Sequence, residues 1–141
     1  MLTKAIGTRY EQLFIVETLK KGLHPHDTTG DYLPHDIAVM NESGRFFRVQ
    51  VKGASKEVFQ KNGSPRYEMN LKQYKDGVKT KMTASTVDVF AAYLEPSDVW
   101  YLIPSMILSN ISGVRFYPEA KGGSRSRLEK YRDNWDCFFL S

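Results

Sequence analysis

The chain has 141 residues, 20 Lys+Arg against 16 Asp+Glu, and a formal net charge of +4. A length of this order suits one domain, and 41% hydrophobic with 13% aromatic residues is enough to build a core, which excludes wholesale disorder. A single cysteine, Cys137, excludes a disulfide framework and a multi-cysteine zinc site. No apolar run reaches the roughly 18 residues of a membrane span, and the first residues lack a signal-peptide core, so a cytoplasmic (intracellular) protein with no membrane partner is expected.

Charge is unevenly distributed. Residues 44–81 carry ten Lys/Arg and three acids, a block of +7, and residues 121–132 carry +4, while the stretches 1–43, 82–120 and 133–141 are each net negative. A basic middle in an acidic frame predicts one basic face, of the kind that meets a polyanion.

In chain order, residues ~5–21 form an amphipathic helix by apolar spacing at Ile6, Tyr10, Leu13 and Phe14. Thr8 and Glu11 have the form of a capping box, and Gly22 marks a stop. Residues 23–33 read as a loop holding His24 and His26, whose spacing lacks a third metal ligand. His35–Met40 and Arg45–Lys52 read as strands separated by Asn41-Glu42-Ser43-Gly44, with Gly44 as the left-handed residue of a three-residue hairpin loop. A loop at 42–44 pairs Val39 with Phe47, Ile37 with Val49 and Asp36 with Gln50. Because side chains alternate along a strand, Ile37, Val39, Phe47 and Val49 share one side, and Asp36, Gln50 and Lys52 the other.

Residues 54–81 are polar, basic and broken at Asn62-Gly63-Ser64-Pro65 and Asp76-Gly77, with a weak strand at Arg66–Leu71. Val87–Leu94, apolar except for Asp88, reads as a buried strand in which Asp88 pairs structurally. Glu95-Pro96-Ser97-Asp98 is a turn before the strand Val99–Ile103, which Pro104 ends. Residues 105–123 are irregular, with at most a short helical turn or strand. Residues 125–135 suit a short helix bearing Leu128, Tyr131 and Trp135 on one side. Trp100, Trp135 and the Phe138-Phe139-Leu140 tail belong to the core or to a subunit contact, and Cys137 is a small buried side chain.

A carboxylate and an amide oxygen on neighbouring strands can share a hard divalent cation. A lysine beside them can orient the attacking water and offset charge that builds on a phosphate. Asp36, Gln50 and Lys52 therefore suit metal-assisted hydrolysis of a phosphodiester, while spacing alone makes Glu11 a capping residue.

Pro34-His35-Asp36, thirteen residues, then Gln50-Val51-Lys52 resembles the PD-(D/E)XK nuclease signature, and Arg48-Val49-Gln50-Val51-Lys52-Gly53 resembles its metal-binding strand. Gly7-Thr8-Arg9-Tyr10-Glu11 is similar to the first helix of the Holliday-junction resolvase branch. Val87–Ala91, Trp100–Pro104 and Tyr131–Trp135 resemble later elements of small endonucleases in this superfamily, so the likeness spans residues ~5–135. The group that also carries Gln-x-Lys, which includes a small intron-encoded homing endonuclease, looks most similar.

The resemblance implies an α/β, restriction-endonuclease-like fold: a mixed β-sheet flanked by helices, as a single domain over 1–141 with a basic, DNA-contacting insertion at about 54–81. It implies catalytic Glu11, Asp36, Gln50 and Lys52. Asp36, Gln50, the Val51 carbonyl and Glu11 would hold Mg²⁺ or Mn²⁺. Lys4, Gly7, Arg48, Lys56, Arg66, Lys72, Lys75, Lys79 and Lys81 would contact double-stranded DNA. The implied activity is Mg²⁺-dependent, site-specific cleavage by a homing endonuclease, with a junction resolvase or a non-catalytic DNA-binding module as alternatives. Two departures stand out: His35 separates the Pro and Asp, and neutral Gln50 replaces an acid. Cutting both strands requires two sites, hence a homodimer or homotetramer.

Overall fold

The computed structural model describes residues 2–27, 36–58, 66–75, 78–81, 86–108, 111–119 and 127–139. Helix α1 (Leu2–Lys20) leads into β1 (His24–Asp27), β2 (Ile37–Met40) and β3 (Phe46–Ala54). Then come β4 (Tyr67–Asn70), β5 (Lys72–Lys75), β6 (Val78–Lys81), β7 (Val89–Leu94), β8 (Val99–Pro104), α2 (Ser105–Leu108) and β9 (Gly113–Phe116). The main sheet has the order β1-β2-β3-β7-β8. It is mixed: β3 and β7 run parallel and the other neighbours antiparallel. Two small antiparallel pairs, β4–β9 and β5–β6, stand beside it.

Helix α1 begins at Leu2, so Thr8 and Glu11 lie inside it and form no capping box. Its C-terminus follows the expected stop. Gly22 adopts φ +79, Leu23 N–H donates to the Thr18 carbonyl at 2.9 Å, and Gly22 N–H donates to the Leu19 carbonyl at 3.1 Å. This is the paired closure that a left-handed glycine permits. The predicted loop at 23–33 instead opens with strand β1, which carries His24 and His26 along the edge of the sheet. The rest of that segment lies outside the described residues.

The β2–β3 hairpin adopts the register expected from its apolar pattern, with Ile37 opposite Val49 and Val39 opposite Phe47. Gly44 at φ +88 closes the loop, donating its N–H to the Asn41 carbonyl at 3.0 Å. Asn41 is buried and satisfied: its Oδ1 accepts from Arg45 N–H and Ser43 Oγ, and its Nδ2 donates to the Phe138 carbonyl at 2.9 Å. The loop is thereby tied to the C-terminal segment.

β3 is an interior strand between β2 and β7. Its Val49 and Val51 face α1 within a core that includes Tyr10, Phe14, Ile37, Val39, Trp100, Trp135 and Phe138. The other face carries a second core in which Tyr67, Met69, Phe90, Tyr101, Leu108 and Phe116 meet. The layer over that face is therefore the β4–β9 pair with the one-turn α2, and α1 alone supplies a long flanking helix. Strand β7 is buried throughout, which explains its nearly unbroken apolar run.

Of the C-terminal helix expected over 125–135, the described residues, 127–135, form no α-helix. Glu129–Tyr131 is a single 3-10 turn, a second spans Asp136–Phe138, and Asp133 sits at φ 47. Asp133 N–H donates to the Trp100 carbonyl at 2.7 Å, and Trp100 N–H donates back to Asp133 Oδ1 at 3.1 Å. The segment follows the β8 edge rather than coiling, and Leu128 and Trp135 enter opposite cores. Trp135 and Phe138 are core residues, while Phe139 of the same tail is exposed. Cys137 is only partly buried, and desolvation pushes its thiol up to about 11.

Gly53 is a point of close packing: a Cβ there would lie 2.5 Å from the Tyr10 ring. Tyr10 is 4% exposed and wedged against Tyr93, so it has little room to give. Gly53→Ala is expected to destabilise the protein by about 1–3 kcal/mol, measured by urea unfolding; an unchanged midpoint would show that α1 can shift.

Candidate active site on the β2–β3 hairpin

The hairpin positions the candidate residues by arithmetic of register. Just before β2, where the ladder ends at the Ile37–Val49 pair, Asp36 N–H donates to the Val49 carbonyl at 2.9 Å. Asp36 Oδ2 accepts the Val51 N–H at 2.8 Å, which ties the carboxylate to β3. Residues 49 and 51 face α1, so alternation puts Gln50 and Lys52 on the opposite face. Three of the four candidate catalytic residues, Asp36, Gln50 and Lys52, thus share one patch of sheet. Because β3 is an interior strand, Gln50 and Lys52 do not lie on a sheet edge.

Gln50 is 5% exposed, and its Oε1 is buried without a hydrogen-bond donor. An unmatched buried acceptor costs about 1–3 kcal/mol, and such groups in a folded protein call for a ligand or a role. A neutral amide oxygen beside a carboxylate, with a backbone carbonyl next in sequence, is a donor set of the hard-cation type. The residues present therefore fit a divalent ion. Among the described residues no group of three His, Cys, Asp or Glu could form a metal site, so a site here depends on the amide.

Glu11 is placed differently. It follows Tyr10 on α1, half-buried, in the layer over the opposite face of the sheet. The helix is held to the β7–β8 turn by Arg9, whose Nη1 and Nη2 donate to Glu95 Oε1 and Oε2 at 3.1 and 2.7 Å.

Beside the patch, Arg48 grips Asp88 through Nε to Oδ2 at 3.0 Å and Nη2 to Oδ1 at 3.0 Å. Arg48 N–H also donates to Asp88 Oδ2, and Asp88 N–H donates to the Arg48 carbonyl, both at 2.8 Å. Asp88 is thus the structural partner its apolar strand implied, and its donor is the Arg48 guanidinium expected above to contact DNA. Burial disfavours the Asp88 carboxylate, but the Arg48 hydrogen bonds outweigh it and hold the carboxyl below the usual range. Arg66, another candidate DNA contact, donates to Glu68 at 2.7 Å, and Glu68 also meets Arg115 at 3.2 Å.

Gly7 is exposed on α1 and Lys56 is exposed just after β3. Lys4 lies on α1, and Lys72, Lys75, Lys79 and Lys81 lie on the β5–β6 ribbon. Lys61 and the turn Asp76-Gly77 lie outside the described residues, as do Pro34 and His35. The sequence reading missed two linkages. One is the Arg9–Glu95 fork. The other joins Tyr67 Oη, Glu57 and Ser97, with both contacts at 2.9 Å. Both join residues far apart in the chain, and no local pattern marks them.

A mixed sheet with an acid and a Gln-x-Lys strand on one hairpin is the architecture of a nuclease. The sequence matches the PD-(D/E)XK endonuclease family over residues 1–137, and the chain belongs to that family. Its fold is that of a restriction-endonuclease-like protein. It is similar to the solved structure of a bacterial homing endonuclease, I-Ssp6803I, at a TM-score of 0.78 and 25% identity, covering 96% of this chain and 91% of that one. No curated protein matches the sequence. Among the described residues, no helix is long and apolar enough to cross a membrane.

The Arg48–Asp88 pair generates a pH-dependent term. A depressed folded pKa means that its stabilisation is complete above the unfolded carboxyl value, about 3.9. It is lost as pH falls through the lower folded value. Asp88→Asn should lower stability near neutral pH by about 1–2 kcal/mol. The difference from wild type should shrink below pH 4 in urea melts; a constant difference down to pH 2 would count against the ion pair.

Proposed function

We propose that this protein is a Mg²⁺-dependent, site-specific DNA endonuclease of the homing type that makes double-strand breaks. The observation that carries the reading is the buried Gln50 Oε1, left without a donor on the face of Lys52, with Asp36 Oδ2 bonded to the N–H of the next residue, Val51. Family membership and the likeness to a homing endonuclease support it.

Asp36, Gln50 Oε1 and the Val51 carbonyl would hold the ion, while Glu11, on the helix over the other face of the sheet, would add negative charge from outside that ligand set. Bound there, Mg²⁺ (or Mn²⁺) would supply positive charge to the phosphate oxygens and an oxygen-selective anchor. The chain's own groups do the rest. The Val51 N–H orients the Asp36 carboxylate. Lys52 positions the attacking water and offsets charge on the phosphate. Burial keeps bulk water from competing for the Gln50 oxygen. The +7 block over 44–81 begins on this hairpin and supplies the electrostatic footprint for duplex DNA. Lys4, Gly7, Arg48, Lys56, Arg66 and the ribbon lysines are its candidate contacts. Breaking both strands needs a homodimer or homotetramer, and the exposed Phe139 at the C-terminal tail is a candidate contact between copies.

Lys52→Ala should reduce cleavage of target DNA by about 10²–10⁴-fold, with binding in EDTA nearly unchanged. Full activity in that variant would overturn the assignment. Gln50→Glu adds a charged ligand and should tighten Mg²⁺ binding roughly tenfold in calorimetry. Absence of both Mg²⁺ binding and cleavage in the wild type would point to a DNA-binding module instead. Competition between linear duplex and four-way junction separates a site-specific enzyme, which prefers its duplex target, from a resolvase.

A further inference from the structure

Strand β1 carries the two histidines, His24 and His26, that the proposed function leaves unused, and its register places both rings. His24 pairs with Met40 and His26 with Ala38, while Met40 pairs onward with Phe46 and Ala38 with Arg48. Directly paired residues share a side of a sheet, and successive residues alternate. Val39, in the core under α1, pairs with Pro25 on one flank and Phe47 on the other. His24, His26, Ala38, Met40, Phe46 and Arg48 therefore lie on the opposite side, that of Gln50 and Lys52. The side chains agree with this parity: the rings of His26 and Phe46 meet with centroids 5.4 Å apart.

That side of the sheet is covered unevenly. Among the described residues its core draws on β4, β7, β8 and β9 and on Ala54 at the end of β3, with no residue of β1 or β2. Over β1, β2 and the start of β3 the same side is open: His24 and His26 are exposed, Phe46 is 54% exposed, and Ala38, Met40 and Arg48 are partly exposed. With strands about 4.8 Å apart and residues rising about 3.3 Å, His26 lies roughly 12 Å from Gln50. One DNA strand advances about 3.4 Å per nucleotide, so that distance corresponds to three or four nucleotides. On the other flank of β3, strands β7 and β8 lie under the β4–β9 layer, which leaves the β1–β2 flank as the level approach to the site. Its polar groups are donors: two imidazoles, each with at least one N–H, and the Arg48 guanidinium. The nearest acids are engaged, Asp36 with the Val51 N–H and Asp88 with Arg48. A two-fold contact between copies would set this donor-rich patch against itself, whereas a phosphate backbone is its chemical complement.

We propose that His24 and His26, with Phe46 bracing the ring of His26, hold the DNA backbone on its approach to the site of Asp36, Gln50 and Lys52. The imidazole N–H groups donate to phosphate oxygens and fix the duplex without reading its sequence. The proposal rests on the reading of the protein as a DNA endonuclease and adds the flank from which the duplex enters.

The test measures binding of short duplexes of unrelated sequence by fluorescence anisotropy, in EDTA so that cleavage plays no part. His24→Ala/His26→Ala should bind about tenfold more weakly than wild type, by the same factor for every duplex. His24→Gln/His26→Gln, which restores a donor at each position, should recover part of that loss, and Phe46→Ala should lose less than the alanine pair. All three changes are at the surface, so urea midpoints should stay at the wild-type value; the glutamine rescue separates a lost contact from a lost fold. In the wild type, the imidazole Cε1–H resonances of His24 and His26 should shift on addition of duplex and stay in place on dilution of the protein alone. Resonances that move on dilution but not with duplex would assign the face to a second copy of the chain and overturn the proposal. Unchanged duplex binding in the alanine pair would overturn it too, while leaving the endonuclease reading to the Lys52→Ala cleavage assay. A wild type that binds no duplex would overturn both.

Discussion

Everything about the candidate site depends on the pairing of β2 with β3. Ile37 and Val39 can be buried only opposite Val49 and Phe47. A slip of one residue would turn those four apolar side chains out of the core and move Gln50 and Lys52 into it. The same burial that stabilises the sheet therefore delivers Asp36, Gln50 and Lys52 to one patch. Gly44 and the buried Asn41 enforce the loop length that this register requires. The site and the fold are set by one constraint, so altering the hairpin for stability alters the chemistry too.

The surroundings of that hairpin distribute stability unevenly. Behind β3, aromatic side chains of α1, β8 and the C-terminal segment stack into a dense core, with Phe14 between Trp100 and Trp135. In front, the Arg48–Asp88 fork joins β3 to the start of β7 through side-chain and backbone bonds. Between them sits the Gln50 oxygen, which the fold buries and leaves unmatched. Among the described residues only Tyr10 Oη shares that state, and an unmatched buried acceptor beside a carboxylate is the pattern expected when an unfavourable group is retained for function.

Gln50 also changes the electrostatics of the family pattern. An amide in place of an acid lowers the negative charge available to a cation, which gives Asp36 and Glu11 more weight. Glu11 belongs to the helix layer, and its place there reflects a helix that starts at Leu2 rather than at a cap beside Thr8. The modest net charge of +4 conceals a basic hairpin, loop and ribbon offset by acids elsewhere, of which Glu95 and Asp88 are already spent on internal pairs with Arg9 and Arg48.

Much of this was legible in the sequence because it rests on short-range rules. Alternating apolar residues specified the hairpin and its register, glycines at 22 and 44 marked left-handed turns, and unbroken apolar runs marked β7 and β8. Asp88 was readable as a structural pair, but Arg48 as its partner was not, since the two lie forty positions apart. Only the tertiary structure decided that polar His24–Asp27 becomes an edge strand, because β2 supplies its hydrogen bonds. It also decided that the helical pattern near Tyr131 stops after a single 3-10 turn, beyond which the chain follows β8 and Asp133 and Trp100 exchange bonds. The sequence alone thus determined which residues share a face of the hairpin, a matter of period and turn length. The burial of Gln50 Oε1 without a donor was decided only by packing, because satisfaction of a polar atom depends on neighbours from the whole chain.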